Sequence, residues 1–136
     1  MKEIPYHITI NVENNNNLPE VYNEMCVNIN IKKYKNKKSK LMISIKENEQ
    51  WSIIGRNKII EEFNEEKSEK NIKLILLPLL DGFLNLPEFE FSEYCETANS
   101  NEKKYEPIEY GSIIEGEKKA IKIAPLNDYS LKINLT

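Results

Sequence analysis

The apolar residues of this chain recur every second position, and that period limits the fold more than any other feature. In PYHITINVEN, Tyr6, Ile8, Ile10 and Val12 share one side of an extended chain, with His7, Thr9 and Asn11 on the other. In MCVNINIKKY, Met25, Val27, Ile29 and Ile31 alternate with Cys26, Asn28, Asn30 and Lys32. Leu41, Ile43 and Ile45 repeat the pattern, as do Ile121 and Ile123, and finally Tyr129, Leu131, Ile133 and Leu135. Successive side chains of a strand point to opposite faces, so such segments bury one face and wet the other, as antiparallel sheets do. Turn signals separate them: NNNNLPE, KENEQ, DG and PLND. The pattern predicts an all-β chain: an antiparallel, immunoglobulin-like β-sandwich of about eight or nine short strands. An up-and-down barrel is the second choice, because the inward positions carry bulky aliphatics that fill space rather than line a cavity. The one helical candidate is IIEEFNEEKSEK, Ile59 to Lys70, whose apolar residues end at Phe63; it predicts one or two turns at most.

One stretch breaks the alternation. NIKLILLPLL begins at period two and becomes continuously apolar, which suits a central strand whose end is covered on both faces. Pro78 has no N–H to give a ladder, so it ends the pairing or marks a bulge. Asp81-Gly82 supplies a turn. Phe83, Leu84 and Leu86 then restart the apolar pattern, Pro87 sits at the beginning or edge of the next strand, and Phe89 and Phe91 share a face opposite Glu88 and Glu90. The expectation is strand, tight turn, strand, with Trp51 and Leu76–Phe89 in the core.

At 136 residues the chain fits one domain, residues 1–136, able to bury roughly two thirds of its unfolded surface without disulfide or metal. Its net charge of −3 gives no general attraction to nucleic acid or anionic membrane, and Arg56 is the sole arginine, so arginine-fork recognition of phosphate or bases is disfavoured. Lysine, asparagine and isoleucine contribute 18, 18 and 19 residues, a bias that AT-rich coding produces without any function; Lys and Asn runs are discounted accordingly. Cys26 and Cys95 follow no metal spacing, and MKEIPYHITI lacks the apolar core of a secretory signal, so free cytosolic thiols are expected. The longest apolar run is far short of the roughly 20 residues of a membrane-spanning helix.

No catalytic constellation emerges. His7 is the only histidine and lies on a polar strand face. No nucleophile motif, metal cluster or glycine-rich phosphate loop is present, and glycine occurs only at 55, 82, 111 and 116. The expectation is a non-enzyme with no catalytic, cofactor or metal residues. The candidate for membrane or partner contact is KKYKNKKSK: Lys32, Lys33, Tyr34, Lys35, Lys37, Lys38 and Lys40. Each cation near an anionic surface contributes about 1 kcal/mol; the competing reading is a solvated hairpin tip. If strands alternate direction, this loop and the acidic segment 56–70 emerge at one end and neutralise each other, unless an extra strand at 57–60 reverses the parity. Residues 92–106 are polar and read as a mobile loop. Sheet edges, with unpaired N–H and C=O groups, are a further docking candidate.

Trp51 and Gly55, then Pro78, Leu79, Gly82, Phe83, Leu86 and Pro87, then Ile123, Pro125, Tyr129, Leu131 and Thr136, form a pattern over residues 40–136. It resembles the C-terminal end of subunit 10 of the transport protein particle (TRAPP) complex, specific to the TRAPPII form, or of a related TRAPP subunit. Phe83 stands where that family usually has tyrosine, and residues 1–39 match only in being strand-like. The resemblance implies the C-terminal fragment of a larger subunit. It implies a scaffold or interaction module of a vesicle-tethering complex, cytoplasmic and peripheral to Golgi membranes. Its partners would be other TRAPP subunits and, indirectly, a Rab GTPase whose nucleotide exchange other subunits perform; weak anionic-membrane contact is a further expectation and nucleic acid is not. The alternative is a stand-alone sandwich adaptor that binds peptide, cargo or anionic membrane through a sheet edge or the lysine loop.

Overall fold

A computed structural model of the chain describes residues 4–13, 18–95, 104–116 and 119–126. Among these residues eleven strands follow one another: β1 (Tyr6–Val12), β2 (Met25–Lys33), β3 (Ser39–Ile45), β4 (Trp51–Ile54), β5 (Lys58–Phe63), β6 (Ser68–Pro78), β7 (Gly82–Leu84), β8 (Phe89–Cys95), β9 (Lys104–Pro107), β10 (Ile113–Gly116) and β11 (Ile121–Ile123). Sheet 1 has the order β10-β1-β2-β6-β4, sheet 2 the order β5-β3-β8-β9, and β11 pairs with β7 in a small third ladder. No helix occurs among the described residues, and the sheets form an all-β arrangement consistent with a sandwich. Among the named strands pairing is antiparallel except that β10 runs parallel to β1, with His7 opposite Ile113. The expected final strand at 129–135 lies outside the described residues.

The alternation read from the sequence becomes the two inner faces. Ile8, Ile10, Met25, Val27, Ile29, Ile31, Ile72, Leu74 and Leu76 of sheet 1 are buried in one cluster with Leu41, Ile43, Ile45, Phe63 and Phe91 of sheet 2. Each fully buried isoleucine or leucine contributes about 1.5–3 kcal/mol of transfer free energy. Register is fixed because a one-residue slip would turn every one of these side chains to water.

Two sequence readings are corrected and a third is refined. Ile59 to Lys70 is not helical: β5 pairs with β3 from Ser44↔Lys58 to Ser39↔Phe63, and β6 begins at Ser68. The free edge of β3 and the buried Phe63 override a run of acidic residues with fair helix propensity. Leu76–Phe89 does run strand, turn, strand, but the strands on either side of the turn do not pair with each other. Asp81-Gly82 turns the chain, Gly82 having φ +98°, but β7 leaves β6 and pairs with β11, with Ile123 opposite Gly82. Residues 92–106 are not one loop: Ser92–Cys95 and Lys104–Pro107 pair, with the rings of Tyr94 and Tyr105 edge to face at 5.7 Å. Cys26 and Cys95 are free thiols on different sheets.

The chain crosses between the sheets at residues 34–38 and again at 64–67, and these crossings lie side by side, because Lys33 is opposite Ser68 in sheet 1 and Ser39 opposite Phe63 in sheet 2. This end is called the lysine end; the other, where β6 stops at Pro78 and β4 begins at Trp51, is the proline end. The extra strand β5 does occur, yet the lysine and acidic crossings still share an end. The reason is that β4 and β5 run in the same direction. The chain switches sheets at Gly55, with φ +106°, without reversing, and Ile45 N–H donates to the Asn57 carbonyl at 2.8 Å as it joins sheet 2.

Candidate interaction surface

At the lysine end the inward-pointing positions turn polar. Tyr6, Lys33 and Lys70 occupy them in sheet 1, and Glu61 and Glu93 in sheet 2, by the strand registers. The Tyr6 hydroxyl donates to Glu93 Oε2 at 2.9 Å, and Lys35 Nζ pairs with the same carboxylate and with Glu109 at 3.1 Å. Lys35 Nζ also lies 5.0 Å from the centre of the Tyr6 ring. Lys70 Nζ pairs with Glu61 at 3.2 Å. Lys33, only 1% exposed, donates its ammonium to the carbonyls of Lys37, at 2.7 Å, and Asn64. These links join both crossings and both sheets, so the layer closes the end of the core with paired charges. Burial pushes the Tyr6 phenol up to about 12, with the Glu93 carboxylate adding to it. Burial lowers the Lys33 ammonium, and neighbouring Lys35 adds to that. Lys35 titrates above its ordinary value: burial works against its charge, and the bonds to Glu93 and Glu109 and the charges around it outweigh that.

Three of the six lysines of the candidate loop, Lys33, Lys35 and Lys40, have partners within the domain. Lys33 is buried and Lys35 is held between two carboxylates. Lys40 lies on the outer face of sheet 2, 3.3 Å from Glu62 and 5.3 Å from the centre of the Tyr94 ring. Lys32, Lys37 and Lys38 are exposed and Tyr34 is half-buried. A shallow open depression lined by Lys32, Lys33, Tyr34, Lys67, Ser68 and Glu69 sits there, beside the exposed Glu65 and Glu66. Mixed charge of this kind gives an anionic surface little net attraction.

The residues around the proline corner pack about Trp51. The indole is 1% exposed and donates to the Asn85 carbonyl at 2.7 Å. Pro78 lies opposite Trp51 in the ladder, and the Leu79 amide donates to the Gln50 carbonyl at 2.8 Å. Pro87 is buried and Leu86 packs against the core. Two residues expected in the core are outside it: Phe83 is 71% exposed and Leu80 49%. Adjacent residues of a strand face opposite ways, so in β7 Leu84 goes into the core and Phe83 into solvent.

Two apolar surfaces at this end are not apparent from alternation alone. On the outer face of sheet 1 the lysine half is polar, with Asn30 bonded to Asn71 and Glu69. The proline half is apolar: Cys26 is opposite Ile75, Ile75 opposite Ile54, and Leu77 lies two positions along. Ile54 is exposed and the other three half-buried. The legible signals were the unbroken run LILLPLL and the adjacent pair Ile53-Ile54, both of which put apolar residues on two faces. Beyond the strand ends, Leu18, Tyr22 and Leu126 join Leu80 and Phe83 in solvent; a lone leucine or tyrosine in a polar loop gives no such signal.

His7 Nε2 stands 3.0 Å from Glu115, a pair that ties β10 to β1. Among the described residues no group of three or more His, Cys, Asp and Glu is placed to hold a metal ion, and no helix is long and apolar enough to cross a membrane. No curated protein matches the chain. The family model for the TRAPPC10 C-terminal domain matches residues 4–123, from ahead of β1 to the end of β11. It spans both sheets, the closed lysine end and the proline corner, and on that match the chain belongs to the TRAPPC10 C-terminal domain family of the TRAPP complex.

Proposed function

We propose that the chain is a non-catalytic scaffold module of a TRAPPII vesicle-tethering complex in Golgi trafficking. In this reading it holds neighbouring TRAPP subunits together while Rab nucleotide exchange is carried out elsewhere in the assembly. The observation that carries the reading is the family match over residues 4–123. The structure adds a surface suited to docking: Cys26, Ile54, Ile75 and Leu77 make an apolar half-face at the outer edge of sheet 1, bordered by the short edge strand β4. Apolar patches rimmed by polar residues favour protein partners, and an edge strand offers backbone groups to pair.

The test is affinity capture of the tagged chain from lysate of its own organism at low and high salt, read by mass spectrometry, beside an Ile54→Asp/Leu77→Asp variant. TRAPP subunits retained at high salt by the parent and lost by a folded variant are expected, because an apolar contact is not screened. Capture of no TRAPP subunit by the parent sinks the scaffold reading. Retention unchanged in the variant moves the docking site off sheet 1.

A further inference from the structure

We propose that a second copy of the chain pairs with β5 edge to edge, antiparallel about a two-fold axis through Ile60. β5 ends sheet 2, and among the described residues no strand pairs with its other side. Its six residues, KIIEEF, make it the longest edge strand of the two large sheets; β4, β9 and β10 have four each. No proline interrupts it, and its pairing with β3 runs without a bulge from Ser44↔Lys58 to Ser39↔Phe63. A strand edge of this kind is a template for another strand.

The backbone sets which residues face the edge. The bond from Ile45 N–H to the Asn57 carbonyl extends the β3–β5 register by one hydrogen-bonded pair. Bonded and unbonded pairs alternate along an antiparallel ladder, so Ile59, Glu61 and Phe63 also turn their backbone groups to β3. The N–H and C=O groups of Lys58, Ile60 and Glu62 therefore point away from the sheet. The same three residues carry the exposed side chains of the strand, with Ile60 at 53% exposure.

Charge selects a second copy as the occupant and fixes the register. About an axis through Ile60, Lys58 stands opposite Glu62 of the second copy, Glu62 stands opposite its Lys58, and the two Ile60 side chains meet between them. Each of these opposed pairs can exchange two backbone hydrogen bonds, because all its residues face the edge. Half-buried Met42, opposite Ile60 in the β3–β5 register, widens the apolar contact. Glu62 already lies 3.3 Å from Lys40 on the outer face, with its carboxylate open to a second ammonium. Glu61, opposite Ile59 of the second copy on the inner face, is neutralised by Lys70 at 3.2 Å. An axis through Glu61 would oppose two carboxylates, and one through Ile59 would set Lys58 against Ile60. Opposite charges across a strand pair are favourable and like charges unfavourable, so only the axis through Ile60 matches. A contact of this size belongs to the weak, transient class.

The experiment is sedimentation velocity of the 136-residue chain from low micromolar to near-millimolar concentration, with circular dichroism confirming the fold of each variant. A monomer–dimer equilibrium is expected. Lys58→Glu and Glu62→Lys should each weaken it by about tenfold or more, because both opposed charge pairs become like-charged. Mixing those two variants should restore association, since each copy then meets the opposite charge at both positions. Ile60→Pro deletes an edge N–H and leaves the bonds to β3 in place, so it should be folded and monomeric. A parent that stays monomeric to near-millimolar concentration leaves the edge to a strand of another protein and overturns the proposal. A dimer of undiminished strength in Ile60→Pro, or charge variants whose mixture stays dissociated, overturns it as well. Capture of TRAPP subunits by the sheet 1 face is independent of these outcomes, because β5 lies in sheet 2.

Discussion

Removing the Tyr6 hydroxyl tests whether the lysine end is held by paired charge. Tyr6→Phe keeps the ring, which is fully buried and packs edge to face on Phe63 at 6.2 Å, and deletes only the bond to Glu93. A hydrogen bond to a charged acceptor is worth about 1.5–3 kcal/mol, or a fall in thermal midpoint of about 5–10 °C for a domain of this size. A second arm uses pH. The unfolded phenol titrates near its ordinary 10.0 and the folded one at about 12. Between those values the unfolded chain binds fewer protons than the folded one, so stability falls as pH rises, in full effect below 10 and exhausted above 12. Two units at roughly 1.4 kcal/mol each put that loss at about 3 kcal/mol. Urea unfolding followed by circular dichroism at several pH values reads both effects, and comparison with Tyr6→Phe isolates Tyr6 from the other tyrosines and lysines. Glu93→Gln should cost at least as much, because it also takes the charge from Lys35's partner, and the double variant should cost less than the sum, because Tyr6 and Glu93 share one bond. A Tyr6→Phe chain within about 0.5 kcal/mol of the parent at neutral pH, with parallel stability curves above pH 10, would show that the layer closes nothing.

Trp51→Ala should cost about 3–5 kcal/mol, from cavity formation and the lost bond to Asn85, measured by denaturant titration with circular dichroism because the sole tryptophan is gone; a loss below about 1 kcal/mol would place the corner's stability elsewhere. Gly55→Ala should cost about 1–2 kcal/mol from its φ of +106° alone, since an added Cβ meets no atom within 4 Å, and a neutral result would contradict the conformational argument for the sheet switch. Three exposed lysines at about 1 kcal/mol each are too few to hold the chain on vesicles. Cosedimentation with phosphatidylserine vesicles at physiological salt should therefore be negligible for the parent; strong retention that Lys32→Glu/Lys37→Glu/Lys38→Glu abolishes would restore the membrane reading.

Resemblance and alternation made different parts of this molecule legible. Ile29 is inward because its neighbours Asn28 and Asn30 are polar and the period is two, and no tertiary knowledge is needed to say so. Trp51, Pro78 and Pro87 read as one motif, and the structure shows why: a buried indole needs a partner for its N–H, and the corner supplies Asn85. Lys33 was not legible. Nothing local separates it from Lys32, and its burial depends on carbonyls of two turns, one of them 31 residues away. The same holds for Phe83, which reads as core until β7 is seen to pair with β11 rather than β6.

The sequence by itself determined the class of the fold, the faces of its long strands and the family, because hydrophobic period and motif spacing are properties of neighbouring residues. Tertiary structure alone decided which strands pair, where the chain changes sheets, and which lysines face water. Those outcomes depend on backbone groups and charges far apart in the chain finding partners across two sheets, and no local pattern encodes such meetings.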